Sequence, residues 1–198
     1  NGIMAQSLAR GLIKNHEVEI IGRDIDKLKN IQEKMPQIKI KVLEDHEDIT
    51  NKNVLFCVKP YALQSVSARL TGNANILLSI LAGTKLETLR KQIKAKHYIR
   101  TMPNIAASVQ NSTTTITGDN EAKIIAMEIF SSIGQAIWVN TENQLDIATA
   151  IAGSGPAYLA LIAEALADGA VKAGLERHIS TQLVQGLFSG TASLLKHT

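Results

Sequence analysis

The residues with the clearest chemical potential form a small-residue turn, AGSGP, at positions 152–156. Proline fixes its own φ near the helical value and needs no amide donor, so Pro156 suits the first position of a helix with Gly155 as its cap. The backbone amides that would then be free belong to Gly153, Ser154, Gly155 and Ala157. Free amides at the positive end of a helix dipole can bind a carboxylate or phosphate. A tight helix–helix corner, where glycines only permit close packing, explains the same residues equally well.

A second candidate for ligand chemistry is the opening sequence NGIMA. It fits the last five positions of the G-x-G-x-x-[GA] dinucleotide fingerprint, with Gly2 as the second glycine and Ala5 as the third small residue. The first glycine and its strand would precede Asn1. The half-motif gains weight because a predicted strand ends about twenty residues later, where a ribose-reading residue is expected.

The residue at that position is Arg23, where an NAD-specific fold places an acidic side chain. A guanidinium favours the 2′-phosphate of NADPH over the ribose hydroxyls of NADH. The next residue, Asp24, is interpreted as the cap of a helix that begins at Ile25, and Lys27 could add a second positive charge. We therefore expect NADPH as cofactor, with NADH as the weaker alternative.

Other charged residues carry weaker signals. Lys59, before Pro60 at a predicted strand end, is either a cofactor contact or a charge beside the sheet. Glu164, Asp168 and Lys172 recur every four residues and indicate a solvated or subunit-facing stripe with an Asp168–Lys172 pair. The five histidines have no ligand spacing, so no metal site is expected.

Composition excludes several classes of protein. The 198 residues are 45% hydrophobic and 20% charged, as in a soluble globular protein. The net charge of +3 comes without the clustered basic stripe of nucleic-acid binders. The single cysteine, Cys57, excludes an internal disulfide and suits a reducing compartment. With neither a signal peptide nor a membrane span recognisable, we expect a cytoplasmic protein.

Hydrophobic periodicity predicts strands that alternate with helices, followed by helices alone. Strands are predicted at residues 18–22, 38–42, 53–58, 75–80, 98–102, 113–117 and 136–139. Helices are predicted at residues 1–14, 25–33, 61–70, from a capping box at 84–87, at 120–133, and from 141 onward with a last helix starting at Ser180. Such alternation implies a doubly wound, mostly parallel sheet whose ligands bind beyond the carboxyl ends of the strands.

Six segments together resemble pyrroline-5-carboxylate reductases over essentially the whole chain. They are GIMAQSLARGL, VKP, LLSILAGTKLETL, RTMPN, DIATAIAGSGPAY and EALADGAVKAGL. The resemblance implies a Rossmann domain at 1–142 and a helical substrate and dimerisation domain at 143–198, in a homodimer or higher homo-oligomer. It also implies NAD(P)H-dependent reduction of 1-pyrroline-5-carboxylate to L-proline, the last step of proline biosynthesis.

The resemblance further implies which residues bind the ligands. Cofactor contacts would be Gly2, Ile3, Met4, Val58, Lys59, Pro60, Leu81, Ala82 and Gly83, with Asp45 where an adenosine-contacting asparagine is often found. Substrate contacts would be Gly153, Ser154, Gly155 and Pro156, completed by a loop beyond Thr198. No catalytic side chain is expected, because a protonated imine needs mainly alignment against the nicotinamide.

Two alternative functions remain open from the residues. A β-hydroxyacid or 6-phosphogluconate-type dehydrogenase has a similar two-domain plan and uses a lysine as acid and base, for which Lys172 is the candidate. A non-catalytic nucleotide-sensing Rossmann protein would keep the cofactor loops without the reaction.

Overall fold

Strands and helices alternate through the first 138 residues, and helices alone follow in the computed structural model, which describes residues 2–197. The strands are β1 Glu19–Gly22, β2 Lys39–Val42, β3 Glu47–Asp48, β4 Asn53–Phe56, β5 Leu70–Thr71, β6 Ala74–Ser79, β7 Ala95–Met102, β8 Ser112–Gly118 and β9 Gly134–Trp138. The helices are α1 Ile3–Leu12, α2 Ile25–Lys34, α3 Leu63–Ser67, α4 Leu86–Gln92, α5 Lys123–Ser131, α6 Glu142–Ala148, α7 Gly155–Lys172 and α8 Arg177–His197. Short 3-10 turns occupy Pro60–Ala62, Ile105–Val109 and Asn120–Ala122, and a π-helical turn occupies Thr149–Gly153.

The main sheet has five strands in the order β4-β6-β7-β8-β9. Strands β4, β6 and β7 are parallel, β8 is antiparallel to β7, and β9 is parallel to β8. β1 and β2 form a separate parallel pair, and so do β3 and β5. The fold is the predicted Rossmann-type α/β architecture followed by helices.

Both faces of the main sheet are covered because alternate residues of a strand point to opposite sides. In β6, Ile76 and Leu78 pack in a cluster with residues of α1 and α5, including Leu8 and Phe130. Leu77 packs in a second cluster with residues of α3 and α4. Each fully buried side chain of this size contributes about 1.5–3 kcal/mol, so the two clusters fix the sheet between its helices.

Three details of the predicted helices are wrong. The helix predicted at 61–70 is the 3-10 turn and the short α3, after which Leu70 enters a strand. The capping box at residues 84–87 does not form, since α4 begins at Leu86 and its N-cap Lys85 makes no side-chain cap bond. Ser180 lies inside α8 rather than at its start, and its hydroxyl donates to the carbonyl of Glu176.

The described chain divides by packing into two compact units, one up to Gly153 and one from Ser154 onward. α6 and the π-helical turn therefore pack with the sheet, eleven residues beyond the boundary predicted after residue 142. In the second unit, Asp168 Oδ1 lies 2.6 Å from Arg177 Nη1 and joins α7 to α8. The predicted Asp168–Lys172 pair is wrong, because Asp168 pairs with the neighbouring helix instead.

The helical stretch Glu142–Lys172 is unusually apolar and exposed. By length and composition alone it could cross a membrane, with a mean hydropathy of 1.4 over its most apolar window and 6% of that window buried. A helix that buries its apolar surface against a protein partner passes the same test.

Candidate functional site

The carboxyl ends of β4, β6 and β7 lie side by side at one edge of the sheet. Phe56, the last residue of β4, pairs with Ser79, the last residue of β6, and Ser79 pairs with Arg100, two residues before the end of β7. The loop at residues 58–60 follows β4, and the loop at residues 81–83 follows β6. Two of the predicted cofactor segments are thus brought together at the edge where parallel sheets bind ligands.

The loop after β4 offers one half-buried and two exposed residues to this edge. Val58 packs partly against the core, while Lys59 and Pro60 are exposed. Within residues 2–197 the Lys59 ammonium makes no ion pair or hydrogen bond, so its charge is available to an anionic ligand. The preceding Cys57 is half-buried, and burial raises the pKa of its thiol to about 12, which keeps it protonated.

The loop after β6 presents mainly its backbone. The Leu81 side chain is buried in the core, and its amide donates to Ser79 Oγ at 3.3 Å. Ala82 and Gly83 are exposed. Gly83 has φ +69°, which favours glycine, and a Cβ there would meet no atom within 4 Å. A planar ligand could therefore lie against this loop without meeting side chains.

The N-terminus of α1 is an uncapped helix start. Gly2 is its N-cap, has no side-chain cap bond, and has open space where a Cβ would stand. The first-turn amides of Ile3 and Met4 have no intrahelical acceptors, which is the arrangement that binds a pyrophosphate. Ile3 is exposed and Met4 packs partly on the core. Asn1, the first residue of the predicted loop, lies outside the described residues.

Arg23 and Asp24 follow β1 and have different environments. Asp24 Oδ1 accepts hydrogen bonds from the amides of Asp26 and Lys27, both at 3.1 Å, and caps α2 as predicted. The Lys27 amide and then its ammonium hold the pKa of Asp24 below its ordinary value. Lys27 Nζ lies 3.3 Å from Asp24 Oδ2, so it is paired rather than free. Arg23 is exposed and has no ion pair or hydrogen bond from its side chain across residues 2–197.

Asp45 lies on the loop after β2, beside the loop that carries Arg23. β1 and β2 end in register, and the Leu43 amide donates to the Gly22 carbonyl at 2.8 Å. Arg69 holds the loop, since Nη2 donates to the Leu43 carbonyl at 2.6 Å and Nε lies 3.0 Å from Asp45 Oδ1. The Asp45 side chain is 85% exposed. The predicted adenosine contact is therefore a paired but accessible carboxylate.

The turn predicted to bind substrate has a different helix start and fewer free amides than predicted. α7 begins at Gly155, so Ser154 is the N-cap and Pro156 the second helical residue. The amide of Ala157 donates to the Ser154 carbonyl at 3.0 Å and is not free. The Ser154 hydroxyl has no hydrogen-bond partner in the described part of the chain. A Cβ at Gly155 would meet no atom within 4 Å, which leaves the backbone at this point accessible.

Two cavities lie away from the loops at residues 58–60 and 81–83 and from the turn at residues 153–156. One of about 640 Å³ includes Asn73 and Lys94 in its lining, directly before β6 and β7, and so lies at the amino ends of the strands. Another, of about 430 Å³, lies between α1 and α2 and is lined by Gln6, Asp24, Asp26, Lys27, Asn30 and Ile31. Residues 2–197 contain no group of three or more potential metal-ligand side chains.

Comparison with known proteins decides which chemistry the edge serves. Residues 142–198 match the family model for pyrroline-5-carboxylate reductase dimerisation, and residues 1–83 match the model for NADP oxidoreductase, coenzyme F420-dependent. A pyrroline-5-carboxylate reductase from Synechocystis sp. is 38% identical over all of this chain and 77% of its own length. The chain belongs to the pyrroline-5-carboxylate reductase family. It reduces 1-pyrroline-5-carboxylate to L-proline with a nicotinamide cofactor.

Solved reductase structures share the fold over nearly the whole chain. The enzyme from Streptococcus pyogenes has a TM-score of 0.87 and 28% identity, covering 100% of this chain and 78% of its own. The enzyme from Plasmodium falciparum, solved with NADP bound, has a TM-score of 0.76 and 25% identity, covering 99% and 74%. The reductase assignment decides against the alternative interpretations as a Lys172-dependent dehydrogenase or a non-catalytic sensor.

Sequence reasoning recognised the reductase motif RTMPN at residues 100–104 but gave its side chains no role. The structure shows that Arg100 and Asn104 bind α6 and the π-helical turn, respectively. Their partners lie more than forty residues away in sequence. The available signal was that a polar residue occurs at each end of a motif that forms the end of a predicted strand and the loop after it.

Proposed function

We propose that this reductase prefers NADPH and that Arg23 binds the 2′-phosphate. The observation that carries the proposal is the contrast at the end of β1, where Asp24 is occupied as a helix cap and Arg23 is unpaired. With Oδ1 capping α2 and Oδ2 beside the Lys27 ammonium, Asp24 has fewer acceptor positions left for ribose hydroxyls. A free guanidinium one residue earlier matches the fork geometry of a phosphate.

Measurement of kcat/KM with both cofactors tests this proposal. A charge-assisted hydrogen bond contributes about 1.5–3 kcal/mol, so Arg23→Ala should lower the efficiency with NADPH by about one to two decades. NADH should be nearly unaffected. Lys29→Ala is the matched control, because it removes an exposed, unpaired positive charge from α2. If Arg23→Ala lowers kcat/KM equally with both cofactors, Arg23 has a structural role and its assignment to the 2′-phosphate is wrong.

The other cofactor contacts follow from the open backbone at the strand edge. We assign the pyrophosphate to the first-turn amides of α1 at Gly2, Ile3 and Met4, where no side-chain cap competes. The ribose and nicotinamide are assigned to the loops at residues 58–60 and 81–83, with Leu81 contributing only main-chain atoms. Asp45 is assigned to the adenosine of the cofactor. This assignment requires that Asp45 can contact the adenosine while it stays paired with Arg69.

The substrate carboxylate is assigned to the turn of Gly153, Ser154, Gly155 and Pro156. Two observations support this: the Ser154 hydroxyl is unpaired in the described part of the chain, and Gly155, the first residue of α7, has no atom near its missing Cβ. A carboxylate at a helix N-terminus is stabilised by the unsatisfied amides and the dipole.

The chemistry explains why the site contains few reactive side chains. The nicotinamide cofactor, when bound, supplies the hydride that adds to the C=N carbon of the pyrroline. A protonated imine is already electrophilic, so the protein has to hold the carboxylate and align the ring. The unpaired Ser154 hydroxyl and the backbone amides can do this without changing their own protonation. The assigned residues therefore bind and orient, and none needs to be a strong acid or base.

The dimerisation domain is proposed to form a cytoplasmic homodimer or a higher homo-oligomer. α7, α8 and the connection between them expose a long series of apolar side chains, namely Tyr158, Leu159, Leu161, Ile162, Leu166, Leu175, Ile179, Leu183, Leu187, Leu194 and Leu195. Contiguous apolar surface of this kind is rare on a monomer and marks an interface. A second copy of the same domain would bury these apolar side chains without a membrane.

A further inference from the structure

The two loops that follow β1 and β2, at residues 23–24 and 43–46, carry three carboxylates. Each carboxylate lies 3.0–3.4 Å from a cation, in the pairs Asp24–Lys27, Glu44–Lys41 and Asp45–Arg69. The first two pairs join residues three apart in sequence, whereas Arg69 comes from the segment between α3 and β5. The charge of the loop after β2 therefore depends on a cation that a distant part of the chain supplies.

Arg69 holds this loop with both its backbone and its side chain. Nη2 donates to the Leu43 carbonyl at 2.6 Å, and the Arg69 carbonyl accepts the Glu47 amide at 2.8 Å. The Leu43 amide in turn donates at 2.8 Å to the carbonyl of Gly22, the residue directly before Arg23. The guanidinium of Arg69 is thus fixed beside the loop that lies next to Arg23.

The contact between Arg69 and Asp45 is an attraction between charges. Arg69 Nε lies 3.0 Å from Asp45 Oδ1, and Nε is buried and has no hydrogen-bond partner among the described residues. The Asp45 side chain is 85% exposed, whereas that of Arg69 is 33% exposed. A ligand that approaches Asp45 from solvent therefore meets a carboxylate whose charge is compensated by the cation beside it.

This compensation matters because NADPH and NADH differ in charge at the adenosine ribose. A phosphate monoester such as the 2′-phosphate carries a charge of about −1.5 to −2 at pH 7. An uncompensated carboxylate on the neighbouring loop would repel this phosphate, whereas the ribose hydroxyls of NADH carry no charge for it to repel. A paired Asp45 keeps its oxygens as hydrogen-bond acceptors for the adenosine while its negative charge is offset.

We propose that Arg69 determines cofactor specificity through Asp45, because it neutralises this carboxylate and so admits the 2′-phosphate beside it. The inference rests on the proposed preference for NADPH, with the 2′-phosphate at this edge of the sheet. Arg69 is a positioning residue, since it acts on Asp45 and on the Leu43 carbonyl rather than on the cofactor itself. Arg23 attracts the phosphate, and Arg69 removes the repulsion next to it.

The specificity ratio, kcat/KM with NADPH divided by kcat/KM with NADH, measures this effect in the full-length enzyme. Arg69→Met keeps an extended side chain and removes its charge. We expect the ratio to fall about three- to tenfold, because an unpaired carboxylate repels the phosphate through partly screened solvent. The loss should appear mainly in KM for NADPH, since the charge of the 2′-phosphate does not change during hydride transfer. It should shrink in about 1 M salt, where the Debye length is about 3 Å.

A rescue experiment separates the charge of Arg69 from its support of the loop, because Arg69→Met also removes the bond to the Leu43 carbonyl. Adding Asp45→Asn to Arg69→Met removes the unpaired carboxylate charge but does not restore that bond. The ratio of the double variant should return to within about twofold of the wild type. Arg69→Lys, which keeps a cation beside Asp45, should also keep the ratio near that of the wild type. A purely structural role would lower kcat/KM equally with both cofactors, without rescue, and would overturn the inference.

Asp45→Asn alone tests the inference even if Arg69→Met folds poorly. It keeps the bond from Arg69 to the Leu43 carbonyl and leaves the guanidinium without its carboxylate partner. The added positive charge should raise the specificity ratio about threefold. An unchanged ratio in Asp45→Asn would overturn the inference.

Arg90→Met is the matched control for Arg69→Met. Arg90 also pairs with an aspartate of the sheet unit, namely Asp119, which follows β8 and accepts the Tyr98 amide. Breaking this pair makes the same change in net charge, so it should leave the specificity ratio unchanged even where it lowers Tm. If Arg90→Met lowers the ratio as much as Arg69→Met does, the effect comes from the net charge of the protein and the inference is wrong.

Arg23→Ala distinguishes failure of this inference from failure of the proposed cofactor preference. If Arg23→Ala lowers the specificity ratio and Arg69→Met does not, Arg23 binds the phosphate and Arg69 has no part in specificity. If the wild type prefers NADH and neither variant changes the ratio, both proposals are wrong. A fall in both variants, with the loss in Arg69→Met restored by Asp45→Asn, supports both.

Discussion

At the residue scale, Gly155 allows a test in which fold stability and substrate binding change in opposite directions. It lies in the first turn of α7, and a Cβ there meets no atom within 4 Å. Gly155→Ala should therefore keep or raise stability, because alanine is favoured over glycine in a helix by up to about 1 kcal/mol. If the substrate carboxylate lies against this backbone, KM for the pyrroline should rise several-fold while KM for NADPH stays constant.

Gly169→Ala is the matched control for that prediction. Gly169 belongs to the same helix and also has open space at its Cβ position. Thermal unfolding and steady-state kinetics of both variants give the comparison. An unchanged pyrroline KM in Gly155→Ala, or an equal rise in Gly169→Ala, would show that Gly155 has no special relation to the substrate.

The residues that sequence reasoning placed correctly depend on local interactions. Asp24 was predicted as the cap of α2, and its carboxylate accepts amides two and three residues away. The cap of α4 was predicted wrongly, because the Leu86 amide is satisfied by Glu142, which is 56 residues distant. The partner of Asn104 is 48 residues distant. A local sequence pattern does not show which distant oxygen accepts a hydrogen bond from an amide at a helix start or from a side chain beside a turn.

At the scale of elements, α6 is attached to the sheet edge by ion pairs that respond to pH. The hydrogen bond from Lys85 and then the Arg100 guanidinium lower the pKa of Asp146, against a burial effect that raises it. A carboxylate whose pKa is lowered by folding stabilises the fold above its ordinary value of about 3.9. That stabilisation is lost as the pH falls through the lowered pKa of Asp146 in the folded state.

We therefore predict that Asp146→Asn weakens the acid dependence of stability. The variant should be less stable than the wild type near neutral pH and should lose less unfolding free energy between about pH 5 and pH 3. Urea unfolding of the full-length enzyme across this range measures the effect. Glu33→Gln, which alters an exposed carboxylate without an ion pair in residues 2–197, should match the wild type. If Asp146→Asn shows the same pH dependence of the unfolding free energy as the wild type, the ion pairs of Asp146 do not determine that dependence.

Seven of the nine described strands were predictable from apolar or β-branched residues, whereas the two-residue strands β3 and β5 were missed because they have neither pattern. β6, for example, has buried residues on both faces, as expected for a central parallel strand. The direction of β8 was not predictable, since parallel and antiparallel neighbours can share the same β-branched sequence. The assignment of α6 to the sheet unit was also missed, because it depends on the buried Arg100 rather than on α6 itself.

At the scale of the whole molecule, the exposed apolar surface of α7 and α8 predicts self-association. Full-length enzyme at micromolar concentration should be a dimer or larger by light scattering, because this surface is too extensive for a monomer. Leu161→Glu, at a side chain that is 68% exposed, should shift the assembly toward monomer. A charge placed in an apolar interface has no partner there and is costly to desolvate.

Ile124→Glu is the control for this prediction. Ile124 is 82% exposed on α5 and lies in the sheet unit rather than in the dimerisation domain. It should leave the assembly unchanged. A monomeric wild-type enzyme, or equal dissociation by both variants, would contradict an interface on α7 and α8.

The most direct test of the account follows the hydride itself. Purified full-length enzyme would be given 1-pyrroline-5-carboxylate and NADPH deuterated at both C4 positions, and the product would be analysed by mass spectrometry and NMR. The account predicts L-proline with a single deuterium at C5, the carbon of the former C=N bond, formed in step with cofactor oxidation. Cofactor oxidation without labelled proline, or no oxidation when the substrate is present, would contradict it.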